Sequence, residues 1–421
     1  MTFLKKNKYV LSFGILQIFF SAPGQTFLIA IFVTPIFGDI GVSLSLFAGI
    51  YSLATLAGAL CLNIAGRLID RFPLKTILLG NMVGMSVGCL LLATSTNLIT
   101  CFIAFFILRF VGQGVFLLTA STTLAKVFHK NRGKALGFMT LGFPLSEAIY
   151  PSIVWALFLA IGWRWTYGVL AVSNLILMYP VLSLLVHKAN LKKGHLLPGE
   201  AVIQPERLSG IQEEPSVQGV VHYSLKQVIK DPLLYLVLAA SCFPPLLMTG
   251  LLFHQETLFR LHQWPIAMIP AGLGIYALFK AIGSVGIGPV IDRYGPLWPF
   301  VALIVLLGLG TLLAGVGGKI IIIYGYFALM GMALGFSGPV MNVIWPNLYG
   351  TKNLGSIKGY TSTYRNGITA FGPLPLAIAM DFGYSMPSLL ILSGVIVISC
   401  SVIPLIVQYR APRMNGLVVD K

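Results

Sequence analysis

Twelve apolar stretches, each about as long as a membrane-crossing helix, limit this chain more than any other feature. They fall at approximately 9–33, 44–66, 74–94, 98–126, 134–160 and 165–187. After a polar gap they resume at 232–253, 266–290, 297–316, 319–346, 357–380 and 385–408. A hydrocarbon layer about 30 Å thick takes roughly 20 apolar residues wound as a helix. Within such a layer only helices and closed barrels satisfy every backbone donor and acceptor. Composition agrees: of 421 residues, 57% are apolar and 10% charged, against roughly 45–50% and 25% in soluble domains. Soluble domains, disordered chains, collagen-like repeats and disulfide scaffolds are excluded.

The net charge of +16 would suit a nucleic-acid binder if it formed a basic face with interleaved aromatics. Instead the cations cluster between apolar runs. Of 28 Lys and Arg, 22 lie on the side that carries both termini, 3 (Arg164, Arg260, Lys319) on the other side, and 3 (Arg109, Lys280, Arg365) inside spans. The positive-inside rule then places both termini in the cytoplasm. Cys61, Cys89, Cys101, Cys242 and Cys400 lie in or beside apolar runs without metal-ligand spacing, so no metal site or disulfide framework is expected. The first run is too long for the core of a cleaved signal peptide. A bacterial inner membrane is the expected location.

The gap, 188–231, carries lysines, glutamates and prolines and reads as a linker with at most a short surface helix near Tyr223–Lys230. It divides the chain into 1–187 and 232–421, the second ending in a short cytoplasmic tail. The halves repeat at an offset of 222 residues. Gly66-Arg67-Leu68-Ile69-Asp70-Arg71-Phe72 is echoed by Gly288-Pro289-Val290-Ile291-Asp292-Arg293-Tyr294, and Gly133 and Gly137 by Gly355 and Gly359. A repeated six-span half is the signature of transporters built from two pseudo-symmetric bundles.

These stretches resemble the major facilitator superfamily. GRLIDRFPLK (66–75) is similar to that family's loop 2–3 motif, with Pro73 in place of its second glycine, and GPVIDRYG (288–295) to the second-half copy. LRFVGQG (108–114), RGKALG (132–137) and GWRW (162–165) resemble further signatures in the family's order. The resemblance implies an all-α membrane fold, twelve transmembrane helices in two six-helix bundles. It also implies that Asp70, Arg71, Asp292 and Arg293 form gating charge networks; the rival reading is solvated charges that only fix topology. Gly66 and Gly288 are expected to permit close helix approach. Arg365 followed by Phe371-Gly372 is similar to the oxalate/formate and monocarboxylate branch, where a cation at this place binds a carboxylate. In span 8 the alignment puts Ser284 where that branch carries arginine, with Lys280 one turn earlier.

Charges deep in spans cost at least about 2.5–3.5 kcal/mol each, so Arg109, Lys280, Arg365 and Glu147 need a cavity, partner or ligand. Their sum is +2, which an anion balances. Arg109 reads as a substrate or proton-relay residue, or as an ion pair with Glu147. Glu147 follows a helix break at 142–146 and is the candidate for proton coupling. Arg365 and Lys280 are the candidate anion ligands, with snorkelling as the rival for Lys280. Gln25, Tyr51, Tyr276, Tyr360 and Tyr364 are candidate cavity residues. His254 and Glu256 read as an exposed gate or plain loop. There is no P-loop, dinucleotide fingerprint, zincin motif or catalytic triad, so no cofactor is implied and transport would draw on gradients or exchange. The reading is a monomeric secondary transporter of small organic anions, of carboxylate type, with protons or a counter-anion as the candidate coupled species. The alternatives are a carrier of larger amphipathic compounds, such as a drug or carboxylate-type siderophore, and a receptor or scaffold without flux.

Overall fold

The computed structural model describes residues 5, 7–128, 132–189, 223–350 and 354–407. Most of the linker and the tail after 407 lie outside the described residues. Every regular element among those described is helical, and ten stretches are long and apolar enough to cross a membrane. One of these, Ala135–Lys188, holds 54 residues. It turns at Gly162, where φ is 76°, a left-handed value that glycine adopts without a Cβ penalty. It therefore supplies spans 5 and 6. Span 11 is divided among Leu354–Gly367, Ile368–Phe371 and Pro373–Asp381. The fold is all-α with twelve spans in two pseudo-symmetric sets of six.

The repeat survives at element boundaries. Shifted by 222, span 2 (Leu44–Arg71) falls on 266–293, against an observed 3-10 turn at Ile266–Met268 followed by the helix Ile269–Tyr294. Span 3 (Leu74–Ala93) falls on 296–315, against Leu297–Val316. Pro73 maps onto Gly295, and the two halves make this turn differently. Pro73 has φ −57° and ψ 144°, whereas Gly295 sits at φ 75°. Of the linker, the described part forms the expected short helix, Leu225–Lys230. It is opened by the Ser224 N–H donating to Gln227 Oε1 at 2.8 Å.

Several spans are interrupted. Span 1 runs Lys8–Phe19, a 3-10 turn at Ala22–Gly24, then Thr26–Ile29, Ala30–Phe32 and Val33–Ile40. Span 4 carries a π-helical stretch, Arg109–Val115, between Leu98–Leu108 and Phe116–Val127. The expected break before Glu147 lies at Leu141, between Arg132–Thr140 and Gly142–Ser173. Span 7, Pro232–Phe253, contains Pro244 and Pro245.

The chain packs into two compact units. The first comprises the chain to Glu200 with Leu246–Leu278 and Thr369–Met386; the second comprises Ala201–Pro245, Phe279–Ile368 and Pro387 onward. Inside the first unit, the later parts of spans 7 and 11 pack on span 2. The Phe253 ring lies 5.0 Å from Tyr51 and 6.0 Å from Phe47. Asp39 accepts from Trp163 Nε1 at 2.9 Å, while Arg164 donates to the Ala93 and Ser95 carbonyls at 3.1 and 2.7 Å. This clasp joins the ends of spans 1, 3 and 5. Inside the second unit, Gly308 and Gly394 bring spans 9 and 12 into backbone contact: a Cβ on either would lie 2.9 Å from the other's carbonyl oxygen.

Gly66 and Gly288 do not play the close-packing role expected of them. A Cβ on Gly66 would meet only Leu118, at 3.8 Å, and one on Gly288 would meet nothing within 4 Å. Close approach occurs instead where backbone meets backbone. A Cβ on Gly112 would lie 2.7 Å from Gly24 Cα, and one on Gly372 would lie 2.7 Å from the Leu246 carbonyl oxygen. Gly112→Ala is therefore expected to destabilise the purified protein by about 1–3 kcal/mol, the usual cost of overpacking. Gly288→Ala should leave thermal unfolding in detergent unchanged.

Candidate functional site

Arg109 opens the π-helical part of span 4 and is 2% exposed. A π turn adds a residue to the helical repeat and re-aims the side chains that follow, which is why such turns concentrate at functional sites. In span 1, Pro23 removes a backbone donor, and Gln25 is extended at φ −89° and ψ 147°. The Gly24 carbonyl is thereby turned toward span 4, and the Gly24–Gly112 contact lets the two backbones meet.

Arg109 spends part of its donor set on this break. Nη1 donates to the Gly24 carbonyl at 3.1 Å and to Thr26 Oγ1 at 3.0 Å, and Nε donates to Thr55 Oγ1 at 3.1 Å. Tyr51 donates its hydroxyl to the same Thr26 oxygen at 3.0 Å, and its ring centroid lies 5.3 Å from the guanidinium carbon. Gln25 Nε2 donates to Ser21 Oγ at 3.0 Å and to the Gly112 carbonyl at 3.3 Å. The sequence candidates Arg109, Gln25 and Tyr51 thus belong to one buried cluster, completed by Thr26 and Thr55. Its acceptors are neutral oxygens, and among the described residues Nη2 has no hydrogen-bond partner. Two of the five guanidinium N–H groups therefore remain for an acceptor. The carboxylate of Glu147 is not among the Arg109 hydrogen-bond partners. Glu147 itself is 6% exposed, in the helix that starts at Gly142.

Arg365 lies in the second unit, three residues before span 11 passes into the 3-10 segment Ile368–Phe371. Its Nη2 donates to Ser337 Oγ of span 10 at 2.8 Å, and its buried Nε has no hydrogen-bond partner among the described residues. Lys280 is half-buried in span 8. One turn on, Ser284 Oγ lies 2.8 Å from the Lys280 carbonyl and 3.1 Å from the Gly335 carbonyl. A Cβ on Gly335 would fall 3.0 Å from Ser284 N, so spans 8 and 10 are drawn together at Ser284. The small hydroxyl at 284 stitches two helices.

The remaining sequence candidates are spread out. Tyr276 is fully buried in the first unit. Tyr364 is 48% exposed and receives the Tyr360 hydroxyl at 3.1 Å. Arg71 and Arg293 are exposed at the ends of spans 2 and 8, Arg293 lying 5.2 Å from the Tyr294 ring centroid. The side chains of Asp70 and Asp292 lie outside the described ones. His254, expected on an exposed gate or plain loop, is buried at 1% exposure. Its Nε2 donates to the Pro373 carbonyl at 2.8 Å. Thr26, Thr55, Ser337 and His254 are the polar residues that sequence reasoning missed or misplaced. Pro23-Gly24 beside Thr26 was the one local signal available.

With this geometry in place, the comparisons are decisive about family. The Major Facilitator Superfamily profile matches residues 14–373. The chain belongs to the Major Facilitator Superfamily. It is a multi-pass membrane transporter. Among solved structures it is similar to a glutamate-to-glutamine mutant of the peptide transporter POT, with TM-score 0.74 and 15% identity over 97% of this chain and 96% of that one. A POT family transporter in complex with 5-aminolevulinic acid gives TM-score 0.72 and 13% identity, covering 96% of each chain. At these identities the likeness is one of fold. Among curated proteins, the agnestins efflux protein of Paecilomyces divaricatus is 32% identical over 125 residues, 30% of this chain and 28% of that protein.

The cluster carries its own prediction. Thr26→Val leaves the Tyr51 hydroxyl and one Nη1 hydrogen without an acceptor in a buried place, which costs about 1–3 kcal/mol per group. Thermal unfolding should show a loss of that size, larger than for Thr140→Val, whose hydroxyl bonds only within its own exposed turn. Equal effects would mean that the cluster contributes nothing beyond ordinary helix packing.

Proposed function

We propose that this protein is a secondary transporter of small organic anions, carboxylates in particular, working by alternating access of 1–187 and 232–421 about the linker 188–231. The observation that carries this reading is a pair of guanidiniums, buried at Arg109 and half-buried at Arg365, each with a buried N–H nitrogen left over among the described residues, Nη2 of Arg109 and Nε of Arg365. A buried donor without an acceptor costs free energy, and a carboxylate supplies two strong, charge-assisted acceptor oxygens. Arg365 with Ser337 is the primary anion ligand, Lys280 supplies a second positive charge, and Arg109 is the anion or proton-linked cation of the first unit. Gln25, Tyr51, Tyr276 and Tyr364 shape the path of the substrate. Glu147 carries the proton where transport is proton-coupled, and Gly66, Asp70, Arg71, Gly288, Asp292 and Arg293 gate the conformational change. The 22 to 3 distribution of cations supports cytoplasmic termini in a cell's inner, cytoplasmic membrane. A second reading, efflux of a larger amphipathic compound, is favoured by the partial likeness to the agnestins efflux protein.

Binding of mono- and dicarboxylates to the purified protein separates the two. Arg365→Gln should nearly remove binding. Arg365→Lys should weaken it, because a lysine keeps the charge and loses the planar fork. Ser337→Ala should weaken it about tenfold, roughly 1.4 kcal/mol, by releasing the guanidinium from its neutral anchor. Lys280→Gln should cost dianions more than monoanions. Unchanged affinity in Arg365→Gln, or preference for an uncharged amphipathic ligand, would overturn the anion reading. Coupling is read separately: Glu147→Gln should abolish pH-driven accumulation in proteoliposomes while substrate exchange continues.

A further inference from the structure

Away from the cationic groups, spans 7 and 11 meet at a seam within the first unit. A Cβ on Gly250 would lie 2.7 Å from the Gly372 carbonyl oxygen, and one on Gly372 would lie 2.8 Å from Gly250 N. One turn beyond Gly250, His254 interrupts the helix between Pro232–Phe253 and Gln255–Leu261. Its Nε2 donates to the Pro373 carbonyl, while among the described residues the buried Nδ1 has no hydrogen-bond partner. Next to it, Gln255 Nε2 is also buried and without one. The ring of Phe253, edge-on to the imidazole at 5.1 Å, continues the seam onto Tyr51 and Phe47 of span 2. One neutral imidazole therefore closes a junction of spans 2, 7 and 11 at the end of span 7 that faces away from the linker.

Few ionisable groups come near this position from the packed elements. Span 2 brings Tyr51, whose hydroxyl is engaged by Thr26. The segments Ala30–Phe32 and Ile266–Met268, packed on Gln255–Leu261, have none, and Pro373–Asp381 has only Asp381 at its far end. On the stretch after His254, Glu256 is held by Arg260 at 2.6 Å, and His262 lies 4.7 Å from the Trp264 ring.

We propose that His254 is a proton-operated latch: protonation of Nδ1 places an uncompensated cation in the seam and releases spans 7 and 11 from span 2. Under the orientation proposed above, the proton comes from outside the cell. Burial holds the imidazole at about 4, below the ordinary 6.5, with the Pro373 contact pulling in the opposite direction. A group whose value is depressed in the closed form stabilises that form at high pH and loses this effect as pH falls from 6.5 toward 4. With 6.5 restored on opening, the ratio of open to closed seam rises about 30-fold between pH 7.5 and 5.0.

The test uses the full chain in nanodiscs, where both faces meet the same buffer, so the outcome does not depend on orientation. Thr249 is 6% exposed, and its Cβ lies 3.0 Å from the position of a Cβ on Gly372. Thr249→Cys, in a background with the five native cysteines replaced by alanine, therefore reports opening through its rate of reaction with a soluble methanethiosulfonate. That rate, divided by the rate for His254→Gln at the same pH, should rise about 30-fold from pH 7.5 to 5.0. Glutamine can donate to the Pro373 carbonyl and does not titrate. If His254→Gln fails to fold, Leu261→Cys, at a site 53% exposed, provides the correction for intrinsic thiol reactivity. A ratio that stays constant with pH, or a Thr249→Cys rate that follows the Leu261→Cys control, would overturn the latch.

Discussion

The charge of Arg109 inside an apolar protein interior is the constraint around which much of the first unit is arranged. A guanidinium buried without acceptors is too costly to keep, and an arginine does not shed its charge in a protein. The structure meets this cost with backbone. Span 1 gives up its regular helix at Ala22–Gly24 so that a carbonyl with no helical obligation can face span 4. Span 4 takes a π turn where the arginine starts. The glycines at 24 and 112 let the two irregular backbones touch. Thr26, Thr55 and Tyr51 then complete the set. Each irregularity would be a defect alone; together they satisfy one another, as required where water is scarce.

Arg365 is solved with fewer parts. One serine hydroxyl from span 10 holds one end of the guanidinium, and the helix that carries it gives way to a 3-10 segment three residues later. A serine oxygen is a weaker acceptor than a carboxylate, so it positions the cation without neutralising it. Arg109 likewise meets only neutral oxygens. Had carboxylates been placed beside either, the pair would have been self-sufficient and indifferent to a ligand's charge. Under the anion reading proposed above, neutral anchoring leaves both cations able to respond to a ligand's charge.

The fold was legible because its signal is additive. Twelve apolar runs, a polar gap and a 222-residue repeat each draw on many residues, and none depends on a single contact. The cationic candidates were legible for a related reason, since each is an exception to an apolar background. Their partners were not. Thr26, Thr55 and Ser337 are common residue types in membrane helices, where a hydroxyl usually bonds its own preceding turn, as Thr311 does to Leu307 at 2.8 Å. Nothing in the sequence marks the threonine that reaches another span. His254 failed differently. A histidine followed by Gln-Glu at the end of a span reads as polar and exposed, and only the approach of span 11 at Gly372 makes that place an interior.

Glycine shows the same limit from the other side. Gly66 and Gly288 stand out by their place in the two copies of the loop motif, where small residues are expected to permit close helix approach. Close backbone contacts are made instead by Gly24, Gly112, Gly142, Gly250, Gly335 and Gly372, and by the pair Gly308 and Gly394. Gly66 faces a side chain, which can adjust, and meets nothing nearer than Leu118. The others face carbonyls and amides of a neighbouring segment, which cannot. Four of them lie next to breaks, Gly24 and Gly112 beside Arg109 and Gly250 and Gly372 beside His254, while Gly308 and Gly394 meet in regular helices. Close packing, broken helices and buried polar groups are three aspects of one requirement, that a polar atom inside a membrane protein must find its partner in the protein or in what the protein binds.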